Sequence, residues 1–197
     1  MNRTLYLFDF DGTISHKDSL FDFLFKTFGA FSVLIKMLLN FPVLLFFGIT
    51  NSDKGVVKEK LVSIFLKGKT QEEIMKLGNL YVENYIDSIL RPKALEFIKK
   101  VKKSNSDLII VSASLQFWLQ PFAEKHNLQL ICTKLNYENS ICTGKFLGKN
   151  CKGIEKVNRI KKVLNLEEYA QIVSFGDSKG DKEMFSISTQ VNYKPFR

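Results

Sequence analysis

The sequence predicts an α/β fold, a parallel central sheet carrying an inserted helical unit and a small β-hairpin excursion, and three observations lead to it. Three short apolar runs, TLYLFDF at 4–10, DLIIV at 107–111 and QIVSF at 171–175, have the unbroken apolar character of strands buried on both faces. Each run ends on small or polar residues: Asp11-Gly12-Thr13, Ser112-Ala113-Ser114 and Gly176-Asp177-Ser178. Such turns lie at the carboxyl ends of strands, where open α/β sheets hold their ligands. Helical patterns at 92–103 and 153–165 precede the second and third runs, giving the strand–helix alternation that right-handed crossovers require.

About 90 residues separate the first and second strands, far more than one crossover helix needs, and they carry helical signals. The insertion starts near Asp18-Ser19, a favourable N-cap pair ahead of LFDFLF. It continues through 56–66 and 71–90, where Thr70 and Glu73 have capping-box spacing, and Arg91-Pro92 returns the chain to the sheet. The expected division is a core of residues 1–16 and 90–197 with a cap of residues 17–89. Within the cap, Phe31 to Ile49 forms 19 mostly apolar residues, at the lower edge of a bilayer-spanning length. Lys36 would cost about 3 kcal/mol at a membrane centre, and Pro42 interrupts a helix. Two shorter packed helices, buried or facing substrate, are therefore expected ahead of a membrane-surface contact or a true span. Residues 130–149 alternate apolar and polar around Glu138-Asn139 and Gly144, which reads as a β-hairpin.

Composition sets the outer bounds. With 197 residues, 45% hydrophobic and 25% charged, the chain is neither disordered nor fibrous. A net charge of +9 favours an anionic partner: a phosphorylated metabolite, a nucleic acid or a membrane surface. Cys132, Cys142 and Cys151 are odd in number and widely spaced, which suggests neither a disulfide framework nor a zinc site. Only four apolar residues precede Asp9, too few for a signal peptide, so a cytoplasmic location is expected. His16 and His126 are far apart and are assigned to surface or packing roles.

The chemistry concentrates in carboxylates. Asp9 and Asp11 stand two apart at a strand end and project to the same side, a pair that needs a cation between its like charges. Hard oxygen donors of this kind suit Mg²⁺, and Asp177 and Asp181 add acid from a third strand end. An isolated Asp-x-Asp is also an ordinary polar turn; the surrounding string is more telling. Phe8-Asp9-Phe10-Asp11-Gly12-Thr13-Ile14 resembles the first motif of the haloacid dehalogenase-like (HAD) hydrolases. Ser112 looks like the family's second motif, Lys156 like its third, and Gly176-Asp177-Ser178-Lys179-Gly180-Asp181 like its fourth, in the family's order. The resemblance covers nearly the whole chain and is closest to the phosphoserine-phosphatase-like subfamily, with a Rossmann-like core and an α-helical C1 cap.

That resemblance implies a Mg²⁺-dependent phosphomonoesterase. Asp9 would attack phosphorus, Asp11 would protonate the leaving oxygen and then activate water, and Mg²⁺ would bridge Asp9, the Asp11 carbonyl and Asp177. Ser112, the Ala113 amide and Lys156 would bind phosphate, with Lys152 four residues earlier an alternative to Lys156. Asp181 would hold metal-bound water or orient that lysine. Departures bear on substrate: Ala113 and Ser114 replace two glycines, and Gly180 replaces an Asn before the last Asp. Asp18, nine positions after the nucleophile, stands where such phosphatases hold a substrate ammonium, and Lys58 or Lys60 would meet a carboxylate or second phosphate. The expected substrate is a small phosphorylated metabolite of amino-alcohol or phosphoserine-like type, and no nucleic acid is expected. A lipid-linked or cell-envelope precursor phosphate, phosphoryl transfer to a second alcohol, and a non-enzymatic binder of anionic surfaces follow in that order.

Overall fold

The computed structural model describes residues 3–50, 54–102 and 106–197. Five parallel strands form the central sheet in the order β3-β2-β1-β6-β7: β1 (Thr4–Phe8), β2 (Ser106–Leu115), β3 (Gln129–Thr133), β6 (Gln171–Gly176) and β7 (Gln190–Tyr193). β1 is central, with Phe8 opposite Ile110 on one side and Phe175 on the other. Alternation then sorts its side chains between two faces. Leu5 and Leu7 pack with Ile109, Val111, Ile160, Ile172 and Met184. Tyr6 and Phe8 face the other way, where Phe8 stacks on Phe175 with ring centroids 4.8 Å apart and Phe97 closes over both. Phe97 comes from α6 (Pro92–Val101), which buries Ala94, Ile98 and Val101; Ile160 comes from α8 (Ile154–Val163).

Between β1 and β2 lie α1 (Ser19–Phe28), α2 (Ala30–Leu39), α3 (Phe41–Thr50), α4 (Lys54–Leu66) and α5 (Gln71–Asn84). Asp18 caps α1, accepting from the amides of Leu20 and Phe21 at 2.9 and 3.2 Å. The Thr70–Glu73 capping box opens α5, at 3.1 and 2.7 Å. The two passages of chain between sheet and cap run side by side: the His16 amide donates to the Ile89 carbonyl at 2.8 Å and the Arg91 amide to that of Ile14 at 2.8 Å. An aromatic cluster joins cap to core, with Phe23 of α1 stacked on Trp118 at 5.1 Å and edge-on to Tyr81 and Phe117. Trp118 and Phe117 belong to α7 (Gln116–Lys125).

Four expectations need correction. The first strand ends at Phe8 rather than residue 10, because the chain turns through Phe10–Ile14 with Gly12 at φ 77°. Residues 130–133 pair with β2 as an edge of the main sheet, so the hairpin is only β4 (Leu135–Glu138) and β5 (Ile141–Phe146). Both β3 and β7 are short, and their polar outer residues hid them. The helix at 92–103 ends at Val101, and Lys103 lies outside the described residues. Finally, the helix pair expected to be buried or substrate-facing is largely exposed: α2 and α3 form, bent by 62° at Asn40, but Val33 is the one residue of the two that is buried. Apolar character reports what a side chain avoids, and here, among the described residues, α1 and α4 cover one side of the pair and leave the rest open. Among the described residues no single helix is long and apolar enough to cross a membrane.

Gly78 on α5 sits where a Cβ would overlap the Phe117 carbonyl oxygen, so the close contact of α5 with α7 depends on its bareness. Gly78→Ala is expected to destabilise the fold by about 1–3 kcal/mol in urea unfolding, the usual range for overpacking, while exposed Asn79→Ala changes it by under about 0.5 kcal/mol.

Candidate active site

Three strand ends converge on one cleft of about 390 Å³. Asp9 follows β1, its amide donating to the Phe175 carbonyl at 2.9 Å; Ser112 and Ala113 lie on β2; Asp177 follows β6. A Cβ at Gly12 would collide with the Asp177 carboxylate, which explains why the turn carrying Asp11 passes so close to the third strand. β2 bulges between Ser112 and Leu115, where its register against β3 shifts. The bulge turns the Ala113 carbonyl out of the ladder, and it accepts from Lys58 Nζ at 2.9 Å and Thr133 Oγ1 at 2.8 Å.

The floor of the cleft is a buried charge cluster. Lys156 is 1% exposed and donates to Asp9 Oδ1 at 2.7 Å and Asp181 Oδ1 at 2.6 Å. Asp181 Oδ2 accepts from the amides of Asp177 and Ser178 and from Ser178 Oγ at 3.0–3.2 Å. Burial works against charge on Lys156, but Asp9 and Asp181 prevail and hold it firmly protonated. Burial likewise opposes ionised Asp181, yet Lys156 and the Ser178 contacts hold its carboxyl below the usual range. Asp9 goes the other way: burial pushes it up to about 7, despite Lys156. Asp177 is raised too, by burial and then by Asp181, although exposed Arg197 lies 3.3 Å from its Oδ2. Carboxylate oxygens of Asp9, Asp177 and Asp181 all lie within 4.8 Å of one another. Lys156 and exposed Arg197 together leave one of the three carboxylates unmatched, and the donors are all hard oxygens, so the residues fit a divalent cation such as Mg²⁺.

Asp11 is held apart from that cluster. Its Oδ1 accepts from the Ser19 amide at 2.8 Å and its Oδ2 from the Ser114 hydroxyl. Ser19 and Ser114 meet at 3.1 Å, and Trp118 Nε1 donates to Ser19 Oγ at 3.2 Å. Burial and then the charge of Asp18 raise the Asp11 carboxyl above its ordinary range. The second departure from the family motif therefore has a purpose: Ser114, standing where a glycine was expected, supplies a hydroxyl to Asp11. At Gly180, the third departure, a Cβ would press chiefly on the flexible Lys152 side chain.

The sequence candidates thus separate. Asp9, Asp11, Asp18, Ser112, Ala113, Lys156, Asp177 and Asp181 all line the cleft. Lys152 also lines it, but Lys156 is the lysine bonded to the carboxylates. Asp18 lines the rim while spending Oδ1 on the α1 cap. Lys60 is a correction: it lies 4.8 Å over the Phe47 ring, away from the cleft, and the cap lysines that line the cleft are Lys17 and Lys58. Burial lowers the Lys58 pKa, against the pull of Asp11 and Asp18. His16, assigned above to surface or packing, lines the cleft from its exposed rim, and half-buried Asn150, accepting from Thr133 Oγ1 at 3.0 Å, lines it too. Adjacency to Asp18 was a usable signal for His16; nothing local marked Asn150 or the pairing of Ser114 with Asp11, 103 residues apart. The three cysteines are buried and free.

Comparisons with known proteins bear on the family and the fold. A family model described as haloacid dehalogenase-like hydrolase matches residues 6–186. Protein CicA of Caulobacter vibrioides, in two strains, is 31% identical over 198 residues, covering 98% of this chain and 86% of that protein. A Bordetella pertussis Tohama I protein of unknown function superposes with a TM-score of 0.81 at 21% identity, covering 97% of this chain and 89% of its own. A phosphoserine phosphatase solved as a phospho-aspartyl intermediate analogue gives 0.66 at 22% identity, with coverage of 97% and 86%. A substrate-bound phosphoserine phosphatase complex gives 0.68 at 19%, with coverage of 98% and 86%. At these identities the solved structures share the fold with this chain.

Lys156→Met leaves two buried carboxylates without their cation, and such a break costs about 3–5 kcal/mol at neutral pH. The native Asp181 carboxyl is depressed, so its contribution is present above the unfolded value near 4 and fades as pH falls through the folded one. The gap between wild type and Lys156→Met, measured by urea unfolding in EDTA, is therefore expected to narrow as pH drops from 7 to below 4.

Proposed function

Because the chain belongs to the haloacid dehalogenase-like hydrolases, we propose that it is a Mg²⁺-dependent phosphatase hydrolysing the phosphate monoester of a small metabolite through an aspartyl-phosphate on Asp9. The observation that carries this reading is the pairing of two differently partnered carboxyls: Asp9 bonded to the Lys156 ammonium, and Asp11 bonded to the Ser19 amide and the Ser114 hydroxyl. Burial raises both carboxyls, so the partners divide the roles: the cation beside Asp9 suits a nucleophile that meets a phosphoryl group, and the neutral donors around Asp11 suit a proton carrier.

In the first step an Asp9 oxygen forms a bond to phosphorus as the ester P–O bond breaks, and Asp11 gives its proton to the departing oxygen. In the second, Asp11 takes a proton from water as that water attacks phosphorus, releasing inorganic phosphate and regenerating Asp9. Ser112, the Ala113 amide and Lys156 meet the phosphoryl oxygens, and Asp181 positions Lys156 for that task. Mg²⁺, held by Asp9, the Asp11 carbonyl and Asp177, would neutralise phosphoryl charge. The acid at position 11 favours an oxygen leaving group, since only that group needs a proton.

The division of labour follows the chain: residues 1–16 and 90–197 as catalytic core, and residues 17–89 as cap. The cap lends Lys58 to the cleft and Asp18 to its rim. A substrate carrying an amino group would meet Asp18, and one carrying a second anion would meet Lys58, so amino-alcohol phosphates and phosphoamino acids lead the substrate panel. Nucleic acid is not part of this reading.

Phosphate release across a panel of monoesters, with Mg²⁺ and then with EDTA, tests the proposal. Turnover is expected to vanish in EDTA and in Asp9→Asn, and kcat to fall about 10²–10⁴-fold in Asp11→Asn. Full metal-dependent turnover by Asp9→Asn would refute it.

A further inference from the structure

The α2–α3 pair is a large surface feature that neither the sheet nor the cleft explains. From residue 23 to 52 the chain has no acid and only two charges, Lys26 and Lys36. Its apolar side chains stand in the open: Phe31 is 80% exposed, Leu38 74%, Leu39 75%, Phe46 61% and Ile49 75%. We propose that this pair is a membrane-docking element that seats the cap on an anionic bilayer and so supplies the cleft with phosphate monoesters carried on lipids.

Three observations favour a lipid surface over a second copy or another protein. On α3 the exposed residues Phe41, Val43, Leu45, Phe46 and Ile49 span an arc of about 200° at 100° per residue, wider than the stripe of about 100° that packing against one partner face covers. Acyl chains surround such a helix where a protein face cannot. The cations come next. Lys36 lies 5.1 Å over the Phe65 ring and Lys60 4.8 Å over that of Phe47, where the pair meets the rest of the cap. With no acid in the segment and +9 on the chain, the charge bordering the patch has the sign that complements anionic headgroups. Length is the third. Ten residues make about 15 Å of helix against roughly 30 Å of hydrocarbon, and the 62° bend keeps the two from forming one rod, so the pair enters one leaflet without crossing.

The same helix links this surface to the site. On α4, Lys60 meets α3 while Lys58, two residues earlier, donates to the Ala113 carbonyl in the cleft. The docking claim stands without any catalytic assignment, whereas the substrate claim rests on the phosphatase reading above.

The test is flotation with vesicles of phosphatidylglycerol and phosphatidylcholine in EDTA, using the full chain, Asp9→Asn, and a variant carrying Phe31→Ser, Leu38→Ser, Phe46→Ser and Ile49→Ser. These four side chains are exposed, so the fold survives, which thermal melting verifies. The full chain and Asp9→Asn are expected to float alike, less so in high salt, and the fourfold variant to bind about tenfold more weakly or worse. A wild type that stays with the soluble fraction, or a patch variant that floats equally well, overturns docking. A dimer in gel filtration that the variant abolishes, without flotation, assigns the patch to a second copy instead. With Mg²⁺, hydrolysis of phosphatidic acid in vesicles should fall in the patch variant while p-nitrophenyl phosphate turnover holds. Equal loss of both, or loss of neither, overturns the lipid-substrate claim. No turnover of either by wild type faults the phosphatase reading and leaves docking to the flotation result.

Discussion

The buried ion cluster of Asp9, Lys156 and Asp181 constrains everything around it. A lysine 1% exposed is tolerable only where carboxylates meet it, and here both sit within 2.7 Å. The two acids come from opposite ends of the chain, one after β1 and one after β6, so the cluster exists only when those strands are adjacent and in register. The sheet pays for the cluster with apolar burial elsewhere: Phe8 on Phe175, and Leu5 and Leu7 against α8 and Met184. The cluster in turn leaves an excess of buried negative charge at the strand tips, which a cation and the chemistry of an incoming phosphate can use.

The cap is joined to this centre by polar as well as apolar contacts. Ser19, the first residue of α1, donates its amide to Asp11, and Ser114 on the β2 bulge donates from the other side. The state of Asp11 therefore depends on how α1 sits. Beyond the cleft, the hairpin holds α4 from below: the Phe146 amide donates to Glu59 at 2.8 Å, and the Gly68 and Cys142 backbones exchange bonds with Cys142 and Lys69 at 2.9 Å. The small β4–β5 excursion thereby braces the helix that carries Lys58 into the site.

The contrast between the two apolar regions of the chain is instructive. Phe23, Phe117, Trp118 and Tyr81 interlock between cap and core, with ring centroids near 5 Å. Residues 30–50 are as apolar, yet they lie outside that interlock and meet the rest of the protein along one side only, through Val33, Lys36 and Met37 of α2 and Leu44 and Phe47 of α3. Hydrophobicity alone does not distinguish the two regions. Placement does, because α5 and α7 close over α1, whereas among the described residues only one side of α2 is met, by α1 and Phe65 of α4.

Local spacing by itself determined the buried strands, the helix caps at Asp18 and Thr70, the inserted helical unit and the acids at the strand ends, because each depends on neighbours within a few residues. The motif string around Asp9 and Asp11 also pointed to the family and its fold before any geometry. Only the tertiary structure decided which side chains meet across the chain. It brought Ser114 to Asp11, sent Lys58 to the cleft and Lys60 to Phe47, put His16 and Asn150 in the cleft lining, moved residues 129–133 into the main sheet, and left α2 and α3 largely uncovered. These are outcomes of long-range packing. A residue's own pattern states its preference for burial or charge, while the partner that satisfies it is set by strands and helices distant in sequence.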